Sequence, residues 1–330
     1  MRDRGGISHL RCLYARNNNR GLVSVFVDLG DDATKQVWRY ELSIKGEKGG
    51  LNRPIIASER VMFNGDVILD RPDEADRSDP DRLTQTALEQ ISANKEFRDI
   101  AEFFSATRYL HLVPQIIRDP GRGGDVANDP FGGDFIIRMY SAPARRREIW
   151  LRRITDALKI AVPQFDSLQI NTDETGRPHL QGRYANWRGT GSWQDERELG
   201  DGTLRLVGLL WTLVEGGRKG ALVLLEEPEL SLHPEVVRVL PRILARAQRS
   251  NGSQVLLTTH SPDLLADEGV RPDEVLVLTV TDDGSVGSLL SDDADATELI
   301  QLGFALDEVV RKRSAPANVE QLALADLLRG

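Results

Sequence analysis

Between residues 221 and 258 the chain runs apolar stretch, helix-patterned stretch, apolar stretch, and this order constrains its fold more than any other feature. Segments 221–225 and 255–258 are short and apolar on successive residues, which predicts strands buried on both faces of a parallel sheet. Parallel neighbours need a crossover rather than a hairpin. Residues 235–249 supply it as a helix, with Pro241 expected to kink or restart it. In an open α/β sheet, ligands bind outside the carboxyl ends of the strands. Both strands end in polar groups there: Glu226-Glu227-Pro228-Glu229 after the first, Thr258-Thr259-His260-Ser261-Pro262 after the second.

Two adjacent carboxylates at such an edge can serve a bound Mg²⁺ and a water, one orienting the metal and the other polarising the water. A solvated strand terminus would look the same in sequence. His260 follows Glu227 by 33 residues; a neutral imidazole there can hydrogen-bond a phosphate oxygen, although a lone histidine also serves structure. Upstream, Gly200-Asp201-Gly202-Thr203 opens a predicted helix over 203–214. Glycines there let backbone N–H groups and the positive helix end approach a phosphate. Plain capping by Asp201 would need no ligand.

The first half reads differently. Strands are predicted at 22–29 and 37–44, a hairpin about Gly30-Asp31-Asp32, and at 54–60 and 67–69, together an antiparallel lobe. Segment 66–82 holds seven acids and three arginines and reads as a solvated connector. Residues 83–112 have helical spacing, with Leu88, Ile91, Phe97, Ile100, Phe103 and Phe104 on the buried face. The glycine-rich stretch 119–134 lacks a Gly-Lys-Ser/Thr ending and a preceding strand, so it reads as a loop. A helix over 144–162 carries Arg145, Arg146, Arg147, Arg152 and Arg153, a solvated face in preference to a nucleic-acid patch. A strand pair follows at 165–170 and 177–187, then a strand at 275–280, an acidic stretch 282–298 and a helix over 296–311.

Composition removes other classes. The net charge is −9, Cys12 is the only cysteine and so excludes a disulfide framework, and no apolar run is long enough to span a membrane. The arginine-rich amino end has no apolar stretch after it, unlike a secretory signal, so the expected compartment is the cytoplasm.

Taken together, Gly-Asp-Gly-Thr-Leu-Arg (200–205), Glu-Glu-Pro-Glu-Leu-Ser-Leu-His-Pro (226–234) and Thr-Thr-His-Ser-Pro (258–262) resemble, in order, the signature motif, the Walker B segment running into the D-loop, and the H-loop of ATP-binding-cassette-type ATPases. The resemblance is to the RecF-like and SMC-like branch, with the AAA-labelled defence and OLD-related ATPases. It implies an α/β fold of the P-loop NTPase kind with an antiparallel lobe and a helical insertion: lobe 1–70, insertion and strand pair 71–198, ATPase core 199–280, and a C-terminal helical segment 281–330. It implies ATP and Mg²⁺ as ligands. Glu226 would stand on the metal side, Glu227 would be the catalytic base and His260 the γ-phosphate sensor. Gly200, Asp201, Gly202 and Thr203 would touch nucleotide held by a second protomer in a head-to-tail dimer. DNA and a partner nuclease are further expected partners, and a membrane is not.

One family element is missing. The sequence contains no Gly-Lys dipeptide, and none of its seven lysines follows a glycine. The phosphate loop would need a further strand, loop and helix, on the order of 30 residues, before the antiparallel lobe. The expectation is that Met1 is internal to a longer reading frame; the alternative is a non-hydrolysing interaction module of the same fold. Gln115 is the candidate for the family's glutamine loop. Val214-Glu215-Gly216 and Asp293-Ala294-Asp295 imitate parts of a Toprim nuclease, but the 68 residues after Pro262 leave too little chain for that domain.

Overall fold

The structure is a computed structural model. It describes residues 22–30, 35–47, 53–119, 128–187, 189–216, 220–282, 284–315, 319 and 321. The chain forms two compact units, 1–105 with 278–287 and 106–277 with 288–330.

The first unit contains an antiparallel sheet in the order β1 (Val23–Gly30), β2 (Gln36–Gly46), β3 (Pro54–Phe63) and β4 (Asp66–Arg71). All four expected strands are present. The Gly-Asp-Asp turn of the first hairpin falls partly outside the described residues. The β3–β4 hairpin turns on Asn64 and Gly65, with φ of 48° and 90°. Asn-Gly is the pair that adopts two successive left-handed conformations at least cost. Tyr40, Val61, Ala87, Phe97 and Ile100 form the apolar cluster of this unit.

Segment 66–82 departs from the solvated connector expected of it. It contains β4 and a short helix α1 (Glu74–Ser78), and Arg71 and Asp76 are buried. Arg71 Nη1 donates to Glu59 Oε2 at 2.8 Å, and its Nε and Nη2 hold Asp76 at 2.8 and 2.9 Å. Glu59, fully buried, also accepts from Tyr40 Oη at 3.1 Å and from the Ala87 and Leu88 amides at 2.9 and 3.3 Å. A buried charge is tolerated only when paired and hydrogen-bonded, and this cluster meets that condition.

Residues 83–112 also fold otherwise than expected. The helical spacing yields turns, then α2 (Arg98–Ala106), and then a strand, β5 (Arg108–Leu110). Phe97 and Ile100 are buried as anticipated, whereas Ile91 is 78% exposed.

In the second unit β5 pairs in parallel with β9 (Leu222–Glu226), which pairs in parallel with β10 (Gln254–Thr258). Between β5 and β9 come α3 (Pro114–Arg118), α4 (Phe135–Ser141), α5 (Ala144–Ala161), an antiparallel sheet of β6 (Phe165–Thr172), β7 (Pro178–Tyr184) and β8 (Ser192–Asp195), and α6 (Asp201–Glu215). The expected strand 177–187 is therefore shorter, and β8 was not anticipated. Residues 120–127 of the glycine-rich stretch lie outside the described residues. Arg145, Arg146, Arg152 and Arg153 are exposed on α5, while Arg147 bonds the carbonyl of Tyr140.

Helix α6 is the centre of the core. Leu204, Val207 and Trp211 are fully buried on it. Trp211 meets Trp150 of α5 edge-on at 5.1 Å. Gly208 lies where a Cβ would overlap Leu112 Cδ1, so a side chain at this position would have to displace Leu112.

The β9–β10 crossover is α7 (Pro234–Asn251). Pro234 occupies its first turn, where a missing N–H costs nothing, and the Glu235 amide donates to His233 Nδ1 at 3.2 Å. The helix continues through Pro241, which neither ends nor restarts it, and stops at Gly252 with φ of 62°. Beyond it come α8 (Pro262–Leu265), the strand pair β11 (Leu276–Thr281) and β12 (Gly284–Leu289), α9 (Ala294–Gln301) and α10 (Leu306–Ser314). The single helix expected over 296–311 is thus two. Among the described residues no helix is long and apolar enough to cross a membrane.

Candidate functional site

The parallel register places Glu226 opposite Thr258, so the polar groups that end β9 and β10 lie side by side at the carboxyl edge of the sheet. The Glu227 amide donates to the Thr258 carbonyl at 3.0 Å, extending the ladder by one bond beyond the strand. Glu227 then takes φ of 43°. A left-handed conformation in a non-glycine residue costs of order 1–3 kcal/mol and is retained where the surroundings dictate it. Its effect is to turn the chain away from the sheet and send the Glu227 carboxylate across to β10, where Oε1 lies 3.6 Å from His260 Nε2. The His260 side chain is 93% exposed and that of Glu227 26%, so the pair sits at the mouth of the edge with the imidazole toward solvent.

Glu226 points to the other neighbour. Tyr109 Oη, on β5, donates to Glu226 Oε2, and His111 Nδ1 lies 3.9 Å from Oε1. Glu229 is buried; Thr259 Oγ1 donates to its Oε1, while Oε2 has no hydrogen-bond partner among the described residues. The Thr259 hydroxyl also accepts from the Ser261 amide at 2.9 Å, tying the segment around His260 to the turn after β9.

The glycine-rich helix start lies against the same turn. Gly200 is the N-cap of α6 and has no side chain to cap with, and Leu204 N–H donates to its carbonyl at 3.0 Å. Asp201 does not cap either. Its carboxylate pairs with Arg118 and accepts from Gln115 Nε2 at 3.4 Å. Arg118 Nη2 also donates to the Leu199 carbonyl at 2.6 Å, so α3 clamps the entry to α6. A Cβ on Gly202 would overlap the Ser231 carbonyl oxygen, so the glycine is required by a close backbone approach between α6 and the 228–233 turn. Thr203 is partly buried in the first turn. Arg205, one turn on, has a buried Nε with no hydrogen-bond partner among the described residues. Burial pulls its guanidinium down from its usual value, while Asp201, Glu227 and Glu229 pull it up, so its charge lies among those three carboxylates.

The three sequence motifs therefore converge within the second unit: the acidic pair with His260 across the strand ends, and the 200–205 segment against the turn between them. Tyr109, His111 and Arg118 were not singled out in the sequence. The signal that could have found the first two is the alternation Tyr109-Leu110-His111-Leu112, with a polar ring at every second residue where β5 ends. Among the described residues no three His, Cys, Asp or Glu side chains gather to hold a metal on their own. Mg²⁺ is commonly held by one or two carboxylates together with substrate phosphates and waters, and Glu226, with one oxygen anchored and its side chain 43% exposed, fits that pattern.

Residues 18–266, about three-quarters of the chain, match the family model described as "AAA domain, putative AbiEii toxin, Type IV TA system". No curated protein matches the chain. Among solved structures, the SMC head domain from Thermotoga maritima is 14% identical with a TM-score of 0.36, over 77% of this chain and 75% of that one. An Smc head domain with an extended coiled coil, bound to the C-terminal domain of ScpA derived from Pyrococcus furiosus, is 10% identical with a TM-score of 0.37, over 85% and 80%. An SmcHead bound to the C-winged helix domain of ScpA is 12% identical with a TM-score of 0.35, over 78% and 76%.

Proposed function

The chain belongs to this AAA-domain family, and from that premise we propose that it binds ATP with Mg²⁺ and promotes attack of water on the γ-phosphate, with Glu227 as the base. The observation that carries the proposal is the pairing of Glu227 Oε1 with His260 Nε2 at 3.6 Å across the ends of adjacent parallel strands. In phosphoryl transfer the protein contributes mostly positioning and charge, and this edge offers an acceptor for a water proton beside a donor for a phosphate oxygen. Mg²⁺, held at Glu226, would neutralise phosphate charge. The N–H groups at Gly200, Asp201, Gly202 and Thr203 begin a helix and would serve the nucleotide of a second copy, in a head-to-tail dimer of the RecF-like and SMC-like kind.

The process driven is DNA maintenance or defence in the cytoplasm, with DNA or a partner nuclease as the object. The family description, a type IV toxin–antitoxin system, supports defence. A second reading is a non-hydrolysing module of the same fold that presents its 200–203 face to a complete ATPase. A fluorescent ATP analogue titrated with Mg²⁺, with the mass of the protein followed by light scattering, tests the first. Saturable binding that drives a monomer to a dimer supports it. Nucleotide-independent mass and no saturation would refute it.

A further inference from the structure

The proposed ATPase edge uses Glu226, but nothing in its own strand holds that carboxylate. What holds it comes from β5. Tyr109 Oη donates to Glu226 Oε2, which fixes the carboxylate plane and leaves Oε1 facing His111. His111 Nδ1 is itself buried and, among the described residues, without a hydrogen-bond partner, 3.9 Å from Oε1, a gap too long for a direct bond. A buried ring nitrogen left unpaired costs free energy unless something occupies the gap. The imidazole stands edge-on to Phe131 at 6.1 Å, and the His111 amide donates to the Pro130 carbonyl at 2.9 Å, which holds this stretch of backbone.

We propose that Tyr109 and His111 are positioning residues for a divalent cation at Glu226: Tyr109 locks the carboxylate through Oε2, and His111 Nδ1 accepts a hydrogen bond from a water of the cation's hydration shell. The inference rests on the proposed role of Glu226 and adds the residues that make that role possible. Mg²⁺ retains several of its waters, so a nitrogen set back from the carboxylate matches its outer shell better than its inner one. Groups that hydrogen-bond a ligating carboxylate are worth roughly 10- to 100-fold in metal affinity.

The test is Mn²⁺ binding, read by electron paramagnetic resonance on the full chain with a non-hydrolysable ATP analogue, for wild type, Tyr109→Phe, His111→Phe and Glu226→Gln. Tyr109→Phe keeps the ring and removes only the hydroxyl; His111→Phe keeps the edge contact to Phe131 and removes the nitrogen. The expected result is loss of binding in Glu226→Gln and affinities lowered roughly 10- to 100-fold in the other two, in proteins that still melt cooperatively. A Mg²⁺-induced change in tyrosine absorbance present in wild type and absent from Tyr109→Phe would support the same assignment. Wild-type affinity in both ring variants while Glu226→Gln has lost it would overturn the inference and leave the ATPase reading standing. Wild-type affinity in Glu226→Gln would overturn both.

Discussion

His260 Nε2 and Glu227 Oε1 stand 3.6 Å apart although their strands are joined through a turn and an 18-residue helix, and the contact exists because the β9–β10 register sets Glu226 opposite Thr258. With its side chain 93% exposed, His260 holds little of the fold together. Its replacement by alanine should leave stability within about 0.5 kcal/mol of wild type. ATP turnover should fall by roughly 100- to 1000-fold, the usual effect of removing one donor to a developing phosphate charge. Urea denaturation and a phosphate-release assay on the same preparation measure the two separately.

Gly200 and Gly202 separate the same way. At Gly202 a Cβ would overlap the Ser231 carbonyl, while at Gly200 nothing among the described residues stands within 4 Å of the added atom. Gly202→Ala should therefore destabilise by about 1–3 kcal/mol, as over-packed sites do. Gly200→Ala should cost about 1 kcal/mol or less, yet weaken nucleotide-driven dimerisation, because its backbone is the one proposed to approach a phosphate. Chemical denaturation and light scattering distinguish the two effects.

The part of the site legible in the sequence is the part carried by local pattern. Short apolar strands ending in Glu226-Glu227 and Thr258-Thr259, and a glycine-rich start to the helix Asp201–Glu215, can be read without tertiary knowledge. Strand β5 could not be read this way. Leu88, Ile91, Phe97, Ile100, Phe103 and Phe104 have helical spacing, and that pattern overran the brief alternation Tyr109-Leu110-His111-Leu112. The buried cluster of Glu59, Arg71 and Asp76 was hidden for another reason. Its members face one another only through the β3–β4 register and the turn into α1, so the composition of 66–82 by itself reads as a solvated connector.

That cluster predicts an acid sensitivity in the first unit. The Arg71 guanidinium, followed by Arg82 and the Asp73 amide, holds the Asp76 carboxyl well below the usual carboxylate range against the opposing effect of burial. A depressed folded-state value gives stability that is present above the unfolded value of about 3.9 and is lost as pH falls toward the folded one. Arg71→Met, which keeps the bulk and removes the charge, should cost about 3–5 kcal/mol by stranding Glu59 and Asp76. Urea midpoints at neutral pH test the size, and midpoints taken from pH 5 downward in wild type test the sign.

His179 predicts the opposite sign. Its Nδ1 lies 2.7 Å from Glu196 Oε1 and its Nε2 3.3 Å from Asp173 Oδ2. The bond to Glu196 raises the imidazole above its usual value, burial lowers it, and the bond to Asp173 raises it further. A raised folded-state value gives stability that is fully present below the unfolded value of about 6.5 and is lost as pH rises through the folded one. Melting temperatures of wild type and His179→Gln, compared from pH 5.5 to pH 9, should converge as the pH rises. A constant gap between them would contradict the assignment.

Phosphate release from ATP and Mg²⁺, with wild type and Glu227→Gln purified side by side, tests whether Glu227 is the base for water attacking ATP. The expected result is turnover in wild type, and in Glu227→Gln a rate lower by roughly 100- to 10,000-fold with nucleotide binding retained. Equal residual rates in the two proteins would contradict it.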